Sequence, residues 1–244
     1  MTEKGYYDIH CHILPGVDDG AANIEEALQM IKIAYDDGIR HMVLTPHYQE
    51  RIYETSATDL QREFHILQRK VMRRYKDMNL YLGAELFYHT DMVRKLEQNQ
   101  LLTMAGTDYI LIEFLPSMEK STIIRGLRDI LMAGKKPILA HVERYQHLAG
   151  DIDTIEQLID MGVFMQVNAS SVLGKSGWKT KHFVKKLLDY EMIHYIGTDA
   201  HGTKHRRPLL GECAAYIEKK WSRQYAEQLL IHNPARLLAE KKIL

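Results

Sequence analysis

The sequence predicts an α/β protein built on a closed (β/α)7 barrel of parallel strands, one unit short of the usual eight. Short apolar runs alternate along the chain with amphipathic segments, which is the pattern of β-α units and a parallel sheet. The chain has 244 residues, which is within the range of one barrel. We therefore expect a single domain over residues 1–244 that ends in additional helices.

Seven apolar runs have the length of strands. They cover residues 6–10, 42–45, 80–84, 109–112, 137–140, 163–167 and 193–198. In a barrel of this kind the carboxyl ends of all the strands lie on one face, where the chemistry takes place. We expect the active site at these strand ends.

The intervening segments read as helices. Residues 24–37 carry apolar Ala27, Leu28, Ile31 and Ala34 at helical spacing, and Gly38 ends the helix. A loop over residues 48–57 precedes a second helix, which residues 58–61 open as a capping box and which runs to about residue 75. A further helix is predicted over residues 121–133. Residues 209–244 look helical throughout, with Asn233-Pro234 at the start of the last helix.

Composition excludes several classes of function. Lys and Arg number 32, as do Asp and Glu, so the formal net charge is zero and no overall field attracts nucleic acid or anionic lipid. Cys11 and Cys213 are too few for a disulfide framework, and no signal peptide or apolar stretch of membrane-spanning length occurs. The sequence therefore predicts a reduced cytoplasmic protein without a nucleic-acid partner or direct membrane insertion.

Histidines and carboxylates follow the strands. His10 and His12 alternate along the first strand, so both point to one side while Cys11 points away into the core. The turn at Asp18-Asp19 can bring a carboxylate back towards them. The other strand ends carry His47, Glu85, Glu113, His141, Asp199 and His201.

This set of side chains predicts a polynuclear metal site. Imidazole nitrogen and carboxylate oxygen suit Zn, Mn, Fe or Ni. One ion takes four to six ligands, so the surplus favours two or three ions with a bridging carboxylate. A surface polar residue at a loop mouth is the simpler reading of any single histidine, but candidates from six different strands argue against that reading for the whole set.

Two basic loops favour phosphoryl chemistry. Arg144 follows His141 closely, and residues 204–208 follow His201. Arginine makes bidentate contacts with phosphate oxygens, whereas solvated loop charges are the alternative reading. Paired ions that clamp the attacking and leaving oxygens suit hydrolysis of a phosphate ester.

Competing phosphate motifs are absent from the sequence. His10-Cys11 resembles the start of the cysteine-phosphatase signature H-C-x5-R, but Val17 stands where that signature needs arginine. Lys219 stands at the matching place after Cys213. No phosphate-binding loop and no dinucleotide-binding glycine motif occurs. Hydrolysis at a metal centre is what remains.

Residues 8–20, which read DIHCHILPGVDDG, closely resemble the opening of the polymerase and histidinol phosphatase (PHP) superfamily. More narrowly, the chain is similar to the manganese-dependent protein tyrosine phosphatases of bacterial capsule and exopolysaccharide clusters. The resemblance continues in order over essentially the whole chain, through residues 45–47, 83–85, 111–114, 140–145 and 199–201.

The resemblance implies a distorted seven-stranded barrel that holds two or three ions, Mn²⁺ first, with Fe, Zn and Mg as alternatives. By position, one ion would be held by His10, His12, Glu85 and Asp199. A second ion would be held by Glu85, Glu113 and His141, and a third by Asp19, His47 and His201.

The same resemblance assigns catalytic roles. Arg144 and Arg207 match the family's two phosphate-binding arginines; the loop is one residue longer here, and Pro208 favours Arg207 over Arg206. Asp199 and His201 are candidates for ligand or proton-transfer work.

The implied activity is hydrolysis of phosphotyrosine in proteins by a metal-bridging hydroxide. The implied partner is a membrane-associated bacterial tyrosine autokinase that controls capsule or exopolysaccharide synthesis. Two alternatives stay open: a histidinol-phosphate phosphatase that uses the same metal site, and a non-catalytic module that binds phosphotyrosine.

Overall fold

Parallel strands form the centre of the protein in the computed structural model, which describes residues 5–240. The strands are β1 (Tyr6–Cys11), β2 (Ile39–Leu44), β3 (His47–Tyr48), β4 (Asn79–Leu82), β5 (Glu85–Phe87), β6 (Tyr109–Glu113), β7 (Lys136–Leu139), β8 (Phe164–Asn168) and β9 (Tyr195–Gly197). Every pairing between these strands is parallel. The α/β class and the parallel sheet are therefore confirmed, with strand ends that differ from the sequence prediction by up to three residues.

The strands divide into two sheets, ordered β1-β2-β4 and β3-β5-β6-β7-β8-β9. The predicted second strand corresponds to β2, and a further short strand, β3, follows it after a break. The predicted third strand corresponds to β4, and β5 follows it after a second break. Pro46 lies in the first break and has no N–H to donate to a neighbouring strand. At both breaks the chain passes from the smaller sheet to the larger one. The seven predicted runs thus become nine strands among the described residues.

The first and last strands meet beside the candidate site. Cys11 and Ala200 form an isolated parallel bridge, and the Asp199 N–H donates to the His10 carbonyl at 2.8 Å. A Cβ on Gly197 would lie 2.6 Å from that of His10, so this close approach of β9 to β1 needs a glycine. The contact places the ends of β1 and β9 side by side.

Helices surround the strands. They are α1 (Ile24–Asp36), α2 (Ala57–Arg74), α3 (Met92–Glu97), α4 (Lys120–Met132), α5 (Ile152–Asp160), α6 (Ala169–Val172), α7 (Trp178–Asp189), α8 (Gly211–Lys220), α9 (Arg223–Glu227) and α10 (Asn233–Ala239). A π-helical turn joins α9 to α10, and Pro234 lies in the first turn of α10, as predicted. The end of the predicted C-terminal helical stretch, residues 241–244, lies outside the described residues.

The inner faces of the helices and the strands together supply the hydrophobic core. On α1, Ala27, Ile31 and Ala34 are fully buried, which confirms the predicted apolar face. Burial of a side chain the size of Ile is worth roughly 1.5–3 kcal/mol. Cys11 is also fully buried in this core, as predicted. None of the helices described here is both long and apolar enough to cross a membrane.

The start of α2 differs from the prediction. Ser56, two residues before the predicted Thr58, is the N-cap, and its side chain accepts a hydrogen bond from the Asp59 N–H. The Ser56 hydroxyl also donates to the Asp59 carboxylate at 2.7 Å. The capping interaction therefore joins Ser56 to Asp59, and the helix begins two residues earlier than expected.

This cap gives a stability prediction. Ser56→Ala removes the acceptor for the Asp59 N–H, and we expect it to lower the free energy of unfolding by about 1 kcal/mol. Thr58→Ala, at an exposed position inside the helix, is the matched control and should change it by less than about 0.5 kcal/mol. Urea unfolding followed by circular dichroism measures both, and equal losses would contradict the assignment of the cap.

Candidate metal centre

Three imidazoles point at one buried carboxylate oxygen. Glu85 Oε2 lies 3.2 Å from His10 Nε2, 3.3 Å from His12 Nε2 and 3.1 Å from His47 Nδ1. His10 and His12 approach each other at 3.3 Å through their Nε2 atoms, as expected for alternate residues of one strand. Glu85, at the start of β5, is fully buried. The end of β1 and the starts of β3 and β5 thus converge at this carboxylate.

A second group lies around the turn that follows β1. Potential ligand atoms of His12, Asp19, His47 and His201 all lie within 4.8 Å of one another. Asp19 Oδ1 is 3.4 Å from His201 Nε2 and 3.6 Å from His47 Nε2. This group contains the three residues predicted for a third ion, with His12 in addition.

A third group shares Glu85. Potential ligand atoms of His47, Glu85 and Glu113 lie within 4.8 Å of one another. His141 Nε2 lies 2.9 Å from Glu85 Oε1 and 3.3 Å from Glu113 Oε1. Glu85 therefore has one oxygen towards β1 and the other towards β7, which is the arrangement of a carboxylate shared between neighbouring ions.

Asp199 lies between the imidazoles and the arginines. Its Oδ1 is 3.6 Å from the Nε2 atoms of both His10 and His12, and it accepts a hydrogen bond from Arg206 at 2.6 Å. Its Oδ2 accepts hydrogen bonds from Arg144 at 2.5 Å and from Asn168 at 2.8 Å. Burial opposes ionisation, but the neighbouring His10 and Arg144 hold the pKa of Asp199 well below its usual range. Asp199 is therefore a carboxylate at neutral pH.

Burial and charge set the imidazoles apart. Burial disfavours the charged form of His12, but the neighbouring carboxylates of Asp18 and Glu85 outweigh it and raise the pKa of His12 to about 10. The same competition, with Glu113 and Glu85 as partners, raises the pKa of His141 to about 9. Burial, together with the positive charges of His12 and Arg206, lowers the pKa of His201 to about 3. His201 is thus a neutral imidazole.

Three residues of the site have a strained backbone. His141 (φ 32°), Asp199 (φ 52°) and Arg206 (φ 46°) all adopt left-handed backbone conformations. Such conformations in non-glycine residues cost of order 1–3 kcal/mol each and occur most often at functional sites. Buried Asp8 fixes the residue that precedes Asp199, because its carboxylate accepts hydrogen bonds from the N–H and hydroxyl of Thr198.

The donor set fits bound divalent cations. Glu85 Oε2 and His201 Nε2 are buried and have no hydrogen-bond partner among residues 5–240. Uncompensated burial of such polar atoms costs about 1–3 kcal/mol each, and coordination to a cation would satisfy both. Nitrogen and carboxylate donors in this mixture suit Mn, Fe or Zn.

Asp18 holds two of the candidate ligands, a role that the sequence did not reveal. Its Oδ2 lies 2.8 Å from His12 Nδ1 and accepts the His47 N–H at 3.0 Å. Its Oδ1 accepts the Gly20 N–H, and a Cβ on Gly20 would lie 1.9 Å from the His12 carbonyl oxygen. The Asp-Asp-Gly turn was the available signal, but it does not show which aspartate faces the ring.

Gln166 and Asn168, two residues of β8, make hydrogen bonds that connect three candidate ligands. Gln166 Oε1 accepts the His141 N–H at 2.7 Å and lies 3.2 Å from His10 Nδ1. Gln166 Nε2 donates to Asn168 Oδ1 at 3.0 Å, and Asn168 donates to Asp199. A proton on His10 Nδ1 leaves Nε2 free to bind a cation. Sequence reasoning missed both residues, although their alternation on one strand was a signal.

The position of Asp18 gives a prediction about metal affinity. Asp18→Ala removes the acceptor that fixes the His12 ring, and partners of this kind typically contribute 10–100-fold to metal affinity. We expect the affinity for Mn²⁺ to fall about 30-fold, measured by calorimetric titration. Asp153→Ala, at an exposed aspartate on α5, is the control. Unchanged affinity in Asp18→Ala would contradict the orienting role.

A cavity of about 560 Å³ adjoins the centre on the side of Asp199. We call it the basic cleft; its charged lining residues are Arg144, Lys175, Asp199, Lys204, Arg206 and Arg207. Arg206 is drawn to Asp199, whereas Arg207 forms no ion pair among the described residues. The predicted phosphate arginines, Arg144 and Arg207, therefore both line the same cavity next to the candidate ligands.

The predicted ligands come together from six strand ends and two loops. Parallel strands with a histidine and carboxylate centre at their carboxyl ends define a class of metal-binding α/β proteins. Within that class the chain belongs to the family described as capsular polysaccharide synthesis, CpsB/CapC, whose model matches residues 6–239.

Relatives agree with this family. The chain is 33% identical over 236 residues to the tyrosine-protein phosphatase CpsB of Streptococcus agalactiae serotype III (strain NEM316), covering 95% of this chain and 97% of that protein. It is 28% identical to the tyrosine-protein phosphatase YwqE of Bacillus subtilis (strain 168), covering 97% and 92%.

Solved structures agree as well. A crystal structure from work on YwqE from Bacillus subtilis and CpsB from Streptococcus pneumoniae, described as unique metal-dependent tyrosine phosphatases, matches with a TM-score of 0.89. That match has 28% identity and covers 98% of this chain and 96% of the other. The putative histidinol phosphatase hisK from Listeria monocytogenes shares the fold alone, at 10% identity and a TM-score of 0.54, over 81% of this chain and 96% of that one.

Proposed function

We propose that the protein is a metal-dependent protein tyrosine phosphatase that acts in capsule or exopolysaccharide synthesis. The observation that carries the proposal is the shared Glu85 carboxylate, which is surrounded by histidines in a centre that adjoins the basic cleft at Asp199. Relatives that are named tyrosine-protein phosphatases, and that match this chain over nearly their whole length, support the same activity.

The proposed ligands are assigned to three ions. His10, His12, Glu85 and Asp199 hold the first. Glu85, Glu113 and His141 hold the second, and Asp19, His47 and His201 hold the third. The short distances within each of these sets support the assignment. Mn²⁺ is the proposed metal, with two or three ions per chain; when bound, such ions stabilise phosphoryl oxygens and lower the pKa of water.

Arg144 and Arg207 orient the phosphate in this proposal. Both guanidinium groups line the basic cleft, and a planar guanidinium matches two phosphate oxygens at once. Asp199 holds Arg144 in place through its Oδ2 atom. Arg206, which is paired with Asp199 Oδ1, limits the negative charge that an incoming phosphate meets.

His201 has the features of a ligand or a proton acceptor. Its Nδ1 lies 3.0 Å from the Asp199 carbonyl oxygen, so a proton there is held by a backbone hydrogen bond. Its Nε2 then presents a lone pair to the centre. The lowered pKa of His201 keeps this imidazole neutral above about pH 3. Neutral imidazole is the form that either role needs.

The substrate is proposed to be a phosphotyrosine protein, and the partner a membrane-associated bacterial tyrosine kinase. Membership of the capsular polysaccharide synthesis family supports this substrate and partner.

We also infer a distorted seven-stranded (β/α)7 barrel in one domain over residues 1–244. If β2 with β3, and β4 with β5, are each counted as one barrel strand, the nine strands give seven. The bridge between Cys11, at the end of β1, and Ala200, after β9, supports closure of the barrel. Both cysteines are free, as in the reduced cytoplasmic protein that we propose.

The proposal is tested by removing the metal. We expect chelation to abolish hydrolysis of p-nitrophenyl phosphate and of a phosphotyrosine peptide, and added Mn²⁺ to restore both. Thiol alkylation should leave the rate unchanged, because Cys11 and Cys213 are fully buried and neither lines the centre. A rate that survives chelation, or that alkylation abolishes, would contradict the proposal.

The same assay separates the alternatives. Preference for histidinol phosphate over the phosphotyrosine peptide would indicate the metabolic phosphatase. Binding of the phosphotyrosine peptide without hydrolysis by the Mn²⁺-loaded protein would indicate a non-catalytic binding module.

A further inference from the structure

The basic cleft is larger than one phosphate group needs. Its volume of about 560 Å³ is within the range of roughly 300–1,000 Å³ that is typical of small-ligand sites. A phosphate group has five heavy atoms, and a single water occupies about 30 Å³ of liquid. Arg144 and Asp199 line the cleft and also border the metal centre, so the cleft opens on the place where phosphate is proposed to bind. Space remains for further parts of a substrate.

Two loops supply the other walls of the cleft. The loop between α6 and α7 contributes Lys175, and the loop between β9 and α8 contributes Lys204. Neither lysine belongs to the candidate ligands or to the two arginines assigned to phosphate. Binding of the phosphate therefore does not account for the presence of these two lysines in the cleft.

The charge of the cleft is strongly one-sided. Asp199 is the single acidic residue among its lining residues, and Arg144 and Arg206 already pair with it. Lys204 has no ion pair among residues 5–240. Lys175 pairs with Glu212 at 2.8 Å, but both side chains are more than half exposed, so solvent screens this pair and Lys175 remains available to another carboxylate.

This positive charge is local. The whole chain carries 32 basic and 32 acidic residues, so the cleft stands out against a neutral background. A concave surface of one sign focuses the electrostatic field and favours ligands of the opposite sign. The lysine ammonium is a point charge on a flexible side chain. It is therefore better suited to carboxylates whose positions vary than to a single planar group held in a fixed orientation.

We propose that Lys175 and Lys204 bind acidic side chains that flank the phosphotyrosine, so that acidic phosphopeptides are the preferred substrate class. This inference rests on the proposed phosphatase function and specifies its substrate. The phosphate lies at the Arg144 end of the cleft, and the flanking carboxylates lie against the two lysines. Selection acts mainly through binding, because the lysines are not assigned to the reacting phosphate.

The test uses two phosphotyrosine peptides that differ only in flanking residues, Glu in one and Gln in the other. With the Mn²⁺-loaded protein, we expect kcat/KM to be about tenfold higher for the Glu peptide, mostly through KM. In Lys175→Ala/Lys204→Ala the preference should fall to about twofold or less. Each rate is normalised to the same variant's rate on p-nitrophenyl phosphate. Lys70→Ala, at an exposed lysine of α2 outside the cleft, should keep the preference.

A binding measurement keeps the two proposals separable. Fluorescence anisotropy with unphosphorylated Glu and Gln peptides reports on the cleft without any turnover. If both phosphopeptides are hydrolysed equally well and neither unphosphorylated peptide binds better, the cleft assignment is overturned while the phosphatase function stands. If no phosphotyrosine substrate is hydrolysed but the Glu peptide binds through the two lysines, the cleft assignment stands and the phosphatase function fails.

Discussion

Glu85→Gln is expected to lower kcat for phosphotyrosine peptides by about a thousandfold, equivalent to about 4 kcal/mol of transition-state stabilisation. One oxygen of Glu85 lies within 3.3 Å of nitrogens from His10, His12 and His47. The other oxygen lies 2.9 Å from His141 Nε2. An amide keeps the volume of the side chain but has one oxygen in place of two and no charge, so it cannot serve two ions at once.

The bound metal is measured alongside the rate. We expect Glu85→Gln to retain at least one ion fewer per chain than the wild type, by elemental analysis of the purified protein. Glu156→Gln, at an exposed position of α5, is the control and should match the wild type in rate and metal content. Wild-type activity in Glu85→Gln, with a folded protein by circular dichroism, would show that the shared carboxylate is not central.

Arg144→Lys is expected to lower kcat/KM by roughly 10–150-fold, which corresponds to about 1.5–3 kcal/mol for a hydrogen bond to a charged group. Lysine keeps the positive charge but loses the planar fork that matches a phosphate or carboxylate. It also loses the contact between Arg144 Nη2 and Asp199 Oδ2. The loss should appear for p-nitrophenyl phosphate as well as for peptides, because the residue acts on the phosphate itself.

Metal content separates this effect from damage to the centre. Arg144 is not among the proposed ligands, so at saturating Mn²⁺ Arg144→Lys should bind as many ions per chain as the wild type. Arg128→Lys, at an exposed arginine of α4, is the control and should leave kcat/KM unchanged. An equal rate in wild type and Arg144→Lys would show that the guanidinium does not hold the phosphate.

Local sequence patterns predicted the fold class and the residues that come together. Alternation in β1 places His10 and His12 on one side and buries Cys11, because a strand repeats every two residues. Parallel strands then bring His47, Glu85 and the later candidates to the same face. The role of these side chains as ligands remains a prediction, although the distances between them are those that a shared centre requires.

Contacts between distant segments account for what the sequence did not reveal. The breaks between β2 and β3 and between β4 and β5 occur where the chain leaves one sheet and enters the other. A run of apolar residues does not show which sheet each residue joins. The division of work between Asp18 and Asp19 depends on where the His12 ring lies. The pairing of Arg206 with Asp199 depends on the left-handed backbone conformation of Arg206 and on the hydrogen bond from the His201 N–H to the Arg206 carbonyl.

The most direct test of the account is a titration of metal-free protein with Mn²⁺, in which bound ions per chain and phosphotyrosine hydrolysis are measured on the same samples. The account predicts no hydrolysis without metal, and a rate that reaches its maximum only when two or three ions are bound per chain. Full hydrolysis by protein with no bound metal, or a maximum rate with a single ion, would contradict it.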